Sequence, residues 1–115
     1  LGHLAEICSG SNVSARIHYQ KIKTLPNLEE YIEMGLLTSG GKTNWENNRQ
    51  FVNGIDERAA VILSDPQSNG GLLITVDPQF RNEFEAILHQ NGLGDFAEPI
   101  GEMTLHKDLL LDIVV

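Results

Sequence analysis

The chain has 115 residues, the length of a single domain that can bury a core of its own. Apolar residues make up 41% of it and charged residues 21%, which are the proportions of an ordinary globular domain. The formal net charge of −8 argues against broad contact with nucleic acid or an anionic membrane, and no apolar run reaches the roughly 20 residues of a membrane span.

The first part of the chain predicts a helix, a strand and a second helix. Apolar residues at helical spacing indicate the first helix, which Gly10 should end. Residues 13–19 alternate between apolar and polar side chains, as a half-buried strand does. Pro26 suits the start of the second helix and Gly35 its end.

The middle of the chain predicts a loop followed by a short helix. Residues 36–43 carry no regular apolar pattern and are predicted to be the loop. Thr43 and Glu46 have the spacing of a capping box, which places the helix start near Asn44. Asn53 followed by glycine then marks a turn.

Two continuous apolar runs, residues 59–63 and 72–76, predict strands that are covered on both faces. Asp77 and Pro78 then begin a helix that Gly92 should end.

The last quarter of the chain predicts two strands, residues 99–103 and 109–115, joined by a short polar turn. Strands therefore outnumber complete β-α-β units, which favours the α+β class with a mixed β-sheet and helices packed on it. We predict one domain that spans residues 1–115.

A polar segment between the two apolar runs is the first candidate site. It reads Asp65, Pro66, Gln67, Ser68, Asn69, Gly70, Gly71 and Leu72. A glycine-rich turn can leave N–H groups free to hold an anion, and glycine permits both positive φ and close approach of a ligand. The alternative is an ordinary tight loop between two elements.

A second candidate is formed by Gly40, Gly41, Lys42 and Thr43. The spacing of a phosphate-binding P-loop fails, because the glycine that it requires falls at Leu36. A glycine pair that enters a helix can still present N–H donors and a partial positive charge to an anion. The alternative is a capped helix with an exposed lysine.

The remaining reactive side chains predict neither catalysis nor a metal site. Cys8 lies on the apolar face of the first helix, so we expect a buried structural thiol, and a single cysteine suits a reducing compartment such as the cytoplasm. No histidine pair has metal-ligand spacing, and a packing or hydrogen-bonding role is expected for His3. Asp65 is expected either to order its own loop or to bind Mg²⁺, and no metal ligand is assigned.

Three motifs resemble a known family. The residues Asp65, Pro66, Gln67, Gly70, Gly71 and Leu72 match in place the Asp-Pro-Gln-Thr-Ser-Gly-Gly-Leu-Leu signature of selenophosphate synthetase. Ser68 and Asn69 depart from that signature. The opening Leu1-Gly2-His3-Leu4 resembles the end of the family's Gly-Phe-Gly-Leu-Leu-Gly-His segment, just after the junction of its two domains. Residues 39–47 resemble its Pro-Gly-Gly-Thr-x-x-Asn loop, with Lys42 in place of the threonine.

The resemblance implies the C-terminal domain of a two-domain enzyme that makes selenophosphate, AMP and phosphate from selenide, ATP and water. It also implies that ATP, Mg²⁺ and the reactive Cys or selenocysteine belong mainly to an N-terminal partner domain. The full-length enzyme is expected to be a homodimer that associates chiefly through that domain. The chain alone should then be a fragment without cofactor or activity. Ser68, Asn69, Gly70 and Gly71 are expected to face the phosphates, with Gly40, Gly41 and Thr43 second.

Two alternatives remain open. The aminoimidazole ribonucleotide synthetase and hydrogenase-maturation enzymes share the two-domain plan and use ATP on other acceptors. A non-catalytic binding or assembly module, whose glycine pairs are only turns, is the other alternative.

Overall fold

The structure, a computed structural model, describes all residues from Leu1 to Val115 and contains five α-helices and four strands. The helices are α1 (Gly2–Ser11), α2 (Leu28–Glu33), α3 (Ser39–Asn48), α4 (Glu57–Leu63) and α5 (Arg81–Gln90). The strands are β1 (Val13–His18), β2 (Val52–Asn53), β3 (Gly101–Leu105) and β4 (Leu111–Val114). None of the helices combines the length and the apolarity that a bilayer crossing needs.

The four strands form one mixed sheet in the order β2-β4-β1-β3. β1 is antiparallel to β3 and parallel to β4, and β4 is parallel to β2. Ala15 of β1 is opposite Met103 of β3 on one side and Leu111 of β4 on the other. The mixed sheet with helices confirms the predicted α+β class. The final two strands are not a hairpin, because β1 lies between them.

The core lies between this sheet and α1. Cys8 of α1 and Leu111 of β4 are fully buried, and Trp45 and Phe51 pack against the same cluster. The buried members of the cluster are Leu4, Ala5, Cys8, Ala15, Ile17, Val52, Leu110, Leu111 and Ile113. The expectation of a buried structural thiol at Cys8 is confirmed. The core therefore draws on both ends of the chain and closes one side of the sheet.

Most predicted element ends are found within two residues of their predicted positions. α1 passes the expected stop at Gly10 and ends where Asn12 adopts the left-handed conformation at φ 53°. Gly35 and Gly92, at φ 74°, follow α2 and α5 as expected. The Asp77 carboxylate accepts a hydrogen bond of 3.0 Å from the Gln79 N–H and starts the turn that leads into α5.

The prediction of a strand at residues 59–63 is wrong, because these residues form most of α4. The Asp56 carboxylate accepts a 2.7 Å hydrogen bond from the Ala59 N–H and so caps this helix. Ala59 and Ala60 have high helix propensity and bury small side chains. A five-residue apolar run cannot by itself distinguish a buried strand from a buried helix, and the cap decides the outcome here.

The prediction of a strand at residues 72–76 is also wrong. These residues belong to no element, their side chains are exposed, and none of their N–H groups donates a backbone hydrogen bond. Side-chain pattern alone favours a strand, but a strand exists only when a partner supplies its hydrogen bonds.

The predicted loop at 36–43 is shorter than expected, and the predicted capping box is wrong. α3 begins at Ser39, so Thr43 lies inside the helix and cannot be its cap. Thr38 occupies the N-cap position instead. Two glycines in the first turn weaken the helical pattern of the sequence, which explains the late predicted start.

Candidate functional site

The start of α3 and the segment after α4 meet at one place. The Thr38 hydroxyl donates a 2.7 Å hydrogen bond to Oδ1 of Asp65. Nδ2 of Asn44 donates a 3.0 Å hydrogen bond to the Ser64 carbonyl. The two segments that the sequence marked separately as candidate anion sites are therefore one structural unit, and we call residues 38–44 and 64–71 the joined site.

Glycine allows the two segments of the joined site to approach closely. A Cβ at Gly40 would lie 2.9 Å from Cγ of Pro66, which is closer than real contacts allow. A Cβ at Gly41 would lie 3.3 Å from the Thr38 hydroxyl oxygen. The glycine pair therefore has a packing role in addition to any role toward a ligand, because Pro66 lies directly on the first turn of α3.

The first turn of α3 keeps hydrogen-bond donors free. The N–H groups of Ser39 and Gly40 have no acceptor in the chain, and that of Gly41 donates to the Thr38 carbonyl at 3.2 Å. Thr38 makes no side-chain capping bond to these groups, and its hydroxyl donates to Asp65. The helix dipole adds a partial positive charge here, and Lys42 nearby is 84% exposed.

Residues 67–71 present a second set of free donors. None of their N–H groups donates to another protein group, and all five residues are exposed. A Cβ placed on Gly70 would lie only 2.5 Å from Oε1 of Gln67. A Cβ placed on Gly71 would have no neighbour within 4 Å. The expected positive φ is absent at both Gly70 and Gly71, so space rather than left-handed backbone is what these glycines supply.

The other predicted site residues are exposed and make no side-chain hydrogen bond. Ser68 and Asn69 lie on the exposed part of the 65–71 loop, and Thr43 lies one turn further along α3. Sequence reasoning missed Thr38 and Asn44, which make the bonds between the segments. A threonine directly before a Ser-Gly-Gly sequence is a helix N-cap signal that points to Thr38. Asn44 has no comparable local signal.

Ser64 and Leu1 lie where α4 leads into the joined site. Ser64 is 3% exposed, and its hydroxyl has no hydrogen-bond partner. The Leu1 nitrogen donates a 2.8 Å hydrogen bond to the carbonyl oxygen of Leu63 at the end of α4. The first residue of the chain is therefore beside the residues that lead into the 65–71 loop.

The titratable side chains do not assemble a metal site. No group of three His, Cys, Asp or Glu residues lies close enough to hold an ion. The packing or hydrogen-bonding role expected for His3 is wrong, because its side chain is 96% exposed and its Nδ1 lies 3.9 Å from Oε2 of Glu6, too far for a hydrogen bond. Burial raises the pKa of the Cys8 thiol, which lies in the core. A thiol with a raised pKa is a poor nucleophile.

Comparison with known proteins places the chain in a family. The sequence profile described as AIR synthase related protein, C-terminal domain, matches residues 1–112. "Selenide, water dikinase" of Haemophilus ducreyi is 38% identical over 97% of the chain, and the proteins of that name from Yersinia pestis and Escherichia coli O9:H4 are each 38% identical over 100% and 81% of it.

These relatives are much longer proteins. The matched region is 30% of the Haemophilus protein, 33% of the Yersinia protein and 27% of the Escherichia protein. The chain therefore spans about a third of the length of the curated relatives that it matches. The match to residues 1–112 shows that the chain belongs to the family of AIR synthase related C-terminal domains.

Proposed function

We propose that this chain is the C-terminal domain of a selenide, water dikinase, the enzyme that makes selenophosphate, AMP and phosphate from selenide, ATP and water. The observation that carries the proposal is the joined site, where free N–H groups from α3 and from residues 67–71 share one edge of the molecule. The relatives of the same name support it.

The role that fits the joined site is to face the phosphates of a nucleotide. Backbone N–H groups bind phosphate oxygens without a charged side chain, and a helix N-terminus adds a favourable dipole. Four N–H groups that have no acceptor within the chain can bind phosphate oxygens in this way: those of Ser39, Gly40, Gly70 and Gly71. Covering the phosphates would also exclude water, which would otherwise hydrolyse reactive intermediates.

In enzymes that transfer phosphoryl groups from ATP, bound Mg²⁺ neutralises the charge of the phosphates. The joined site itself does not fit the ion. Asp65 is its carboxylate, one oxygen of that carboxylate already accepts from Thr38, and no second acidic residue joins it in a cluster. We therefore give no residue of this chain the role of a metal ligand.

The partner of this domain in the proposal is a preceding, ATP-binding region of the same polypeptide. The relatives have about twice as much additional sequence as the part that the chain matches. Leu1 lies beside the end of α4, so a region joined to it would start next to the joined site. A cytoplasmic homodimer held together by that region completes the proposal.

The decisive experiment replaces Gly71 in the complete polypeptide. A Cβ at Gly71 meets nothing within 4 Å, and its φ is not positive, so Gly71→Ala should leave folding unchanged. If phosphate approaches this backbone closely, we expect Gly71→Ala to lower selenide-dependent kcat/KM by about tenfold, and Gly71→Val by more. Steady-state assays of AMP release measure both.

Two controls accompany this experiment. Gly10→Ala, at an open position of α1 on another element, should leave the kinetics unchanged. The isolated chain should show no ATP turnover, because the nucleotide and metal groups are assigned to the preceding region. Wild-type kinetics for both Gly71 variants would show that the 65–71 loop has no role in the mechanism. ATP turnover by the isolated chain would refute the assignment of the nucleotide and metal groups to the preceding region.

A related enzyme with a different acceptor is the second candidate. The family description names AIR synthase, and Ser68 and Asn69 depart from the selenophosphate synthetase signature. Assaying the complete polypeptide for ATP consumption with selenide, and in its absence, separates the two. Selenide-dependent release of AMP supports the dikinase. ATP consumption at the same rate with and without selenide supports a related enzyme that acts on another acceptor.

A further inference from the structure

The hydrogen bond between Thr38 and Asp65 joins residues that lie 27 positions apart in the sequence. Thr38 is the N-cap residue of α3, where a threonine oxygen ordinarily accepts from an N–H of the helix itself. It makes no such bond here. Its hydroxyl instead donates at 2.7 Å to the carboxylate of Asp65, the first residue of the 65–71 loop. The side chain therefore serves the contact between segments rather than the helix.

Two neighbouring contacts hold the same short stretch of chain. Nδ2 of Asn44 donates to the Ser64 carbonyl at 3.0 Å, and the Pro66 ring lies on Gly40. The next residues, 67–71, make no backbone hydrogen bond at all. The contact between Thr38 and Asp65 is therefore the last polar attachment before the exposed loop begins.

We propose that Thr38 and Asp65 are positioning residues for the proposed phosphate-facing loop. Their hydrogen bond fixes where residues 67–71 begin relative to the first turn of α3, and so sets the distance between the two groups of free N–H donors. Asp65 acts as a hydrogen-bond acceptor and not as a cation ligand. This inference rests on the proposed function for its effect on turnover, but the bond and its effect on loop order do not.

The physical reason for a large functional effect from one exposed bond is geometric. A single exposed hydrogen bond contributes little to the stability of the whole domain. A displacement of about 1 Å in groups that orient a substrate can nevertheless cost up to about a hundredfold in rate. The signature of a positioning pair is therefore a loss of kcat without a comparable loss of fold stability.

The first arm of the test uses four single variants of the complete polypeptide. Thr38→Val removes the hydroxyl at constant shape, and Asp65→Ala removes the acceptor. We expect each to lower kcat about tenfold with the thermal midpoint nearly unchanged. Thr38→Ser keeps the donor, and Asp65→Asn keeps an acceptor oxygen, so both should stay within about threefold of wild type. If Asp65 were a Mg²⁺ ligand, Asp65→Asn would be as damaging as Asp65→Ala, which would overturn the inference.

The second arm combines the two damaging changes. If both act through one bond, Thr38→Val with Asp65→Ala should be no slower than either single variant, because the bond is already lost. Losses that multiply in the double variant would show that the residues act separately, and would refute the pairing.

The third arm needs no activity. ¹⁵N relaxation of Gly70 and Gly71 in the complete polypeptide reports loop order, and we expect order parameters to fall below about 0.6 in Thr38→Val and to recover in Thr38→Ser. Unchanged order in Thr38→Val overturns the positioning role. A polypeptide without selenide-dependent turnover refutes the proposed function, while this arm still decides the inference.

Discussion

Cys8 shows how a single side chain is assigned by its surroundings. It is fully buried in the cluster between α1 and the sheet, and burial raises the pKa of its thiol. A thiolate is required for nucleophilic attack, so this environment makes Cys8 unreactive. The residue therefore contributes packing, as its position on an apolar helix face predicts.

The raised pKa of Cys8 predicts a loss of stability in alkali. In the unfolded chain the thiol loses its proton at its ordinary pKa, whereas the folded chain still holds the proton at that pH. The free energy of unfolding should therefore fall as the pH rises past the ordinary thiol pKa of about 8.5, by at most about 1.4 kcal/mol per pH unit for one proton. Urea unfolding followed by Trp45 fluorescence measures it.

The control for this pH effect is Cys8→Ala. That variant should be less stable at every pH, because a buried group is lost, but its stability should change less over the same pH interval. Equal slopes for the two proteins would show that another group is responsible. Tyr19 is the nearest competitor, because burial raises its pKa too, and it titrates at higher pH.

At the scale of the elements, the turn after β2 depends on Gly54. Its φ is 74°, and a Cβ at this position would collide with the Ile113 carbonyl oxygen of β4. We expect Gly54→Ala to lower the free energy of unfolding by about 2 kcal/mol or more, because both strain and collision oppose the side chain. Chemical denaturation measures the change.

Gly10→Ala is the matched control for this prediction. Gly10 lies within α1, and a Cβ placed there would have no neighbour within 4 Å, so alanine should raise the free energy of unfolding by about 0.5–1 kcal/mol. A similar response of the two variants would contradict the description of the turn, since only Gly54 combines positive φ with a close carbonyl.

The elements also show why local pattern has limited power. The run at 59–63 is apolar enough for a buried strand, yet Asp56 caps it and two alanines favour a helix. The run at 72–76 has strand composition, yet no neighbouring strand pairs with it. These two runs lie on either side of residues 64–71 of the joined site. Whether each run forms a helix, a strand or neither depends on contacts with residues far away in the sequence.

The whole molecule exposes more surface than its mass requires. Its accessible surface is 8,397 Å², whereas a folded monomer of this mass has about 6,200 Å². Its radius of gyration of 14.8 Å likewise exceeds the expected value of about 13 Å. Exposed apolar side chains concentrate at residues 25–37 and 72–96. The excess is more than the roughly 800 Å² that one partner contributes to a standard interface.

The excess of exposed apolar surface predicts that the isolated chain self-associates. We expect it to bind an apolar fluorescent dye and to associate as its concentration rises, because large exposed apolar patches are unfavourable in water. The complete polypeptide should bind less dye per molecule if the proposed preceding region covers these residues. Dye titration and light scattering after size exclusion test this. Equal dye binding per molecule would show that the patches stay exposed.

The α+β class, α1, β1, α2, α5 and the last two strands could be predicted from the sequence alone, because apolar period, helix caps and glycine stops are local signals. The sequence also marked the glycine pairs at 40–41 and 70–71, through composition and family resemblance. Three features could be read only from the folded chain. The two segments meet through Thr38, Asn44 and Asp65, residues 59–63 are helical, and residues 72–76 have no strand partner. Each of these depends on which distant groups satisfy a residue's hydrogen bonds, and that information exists only once the chain has folded.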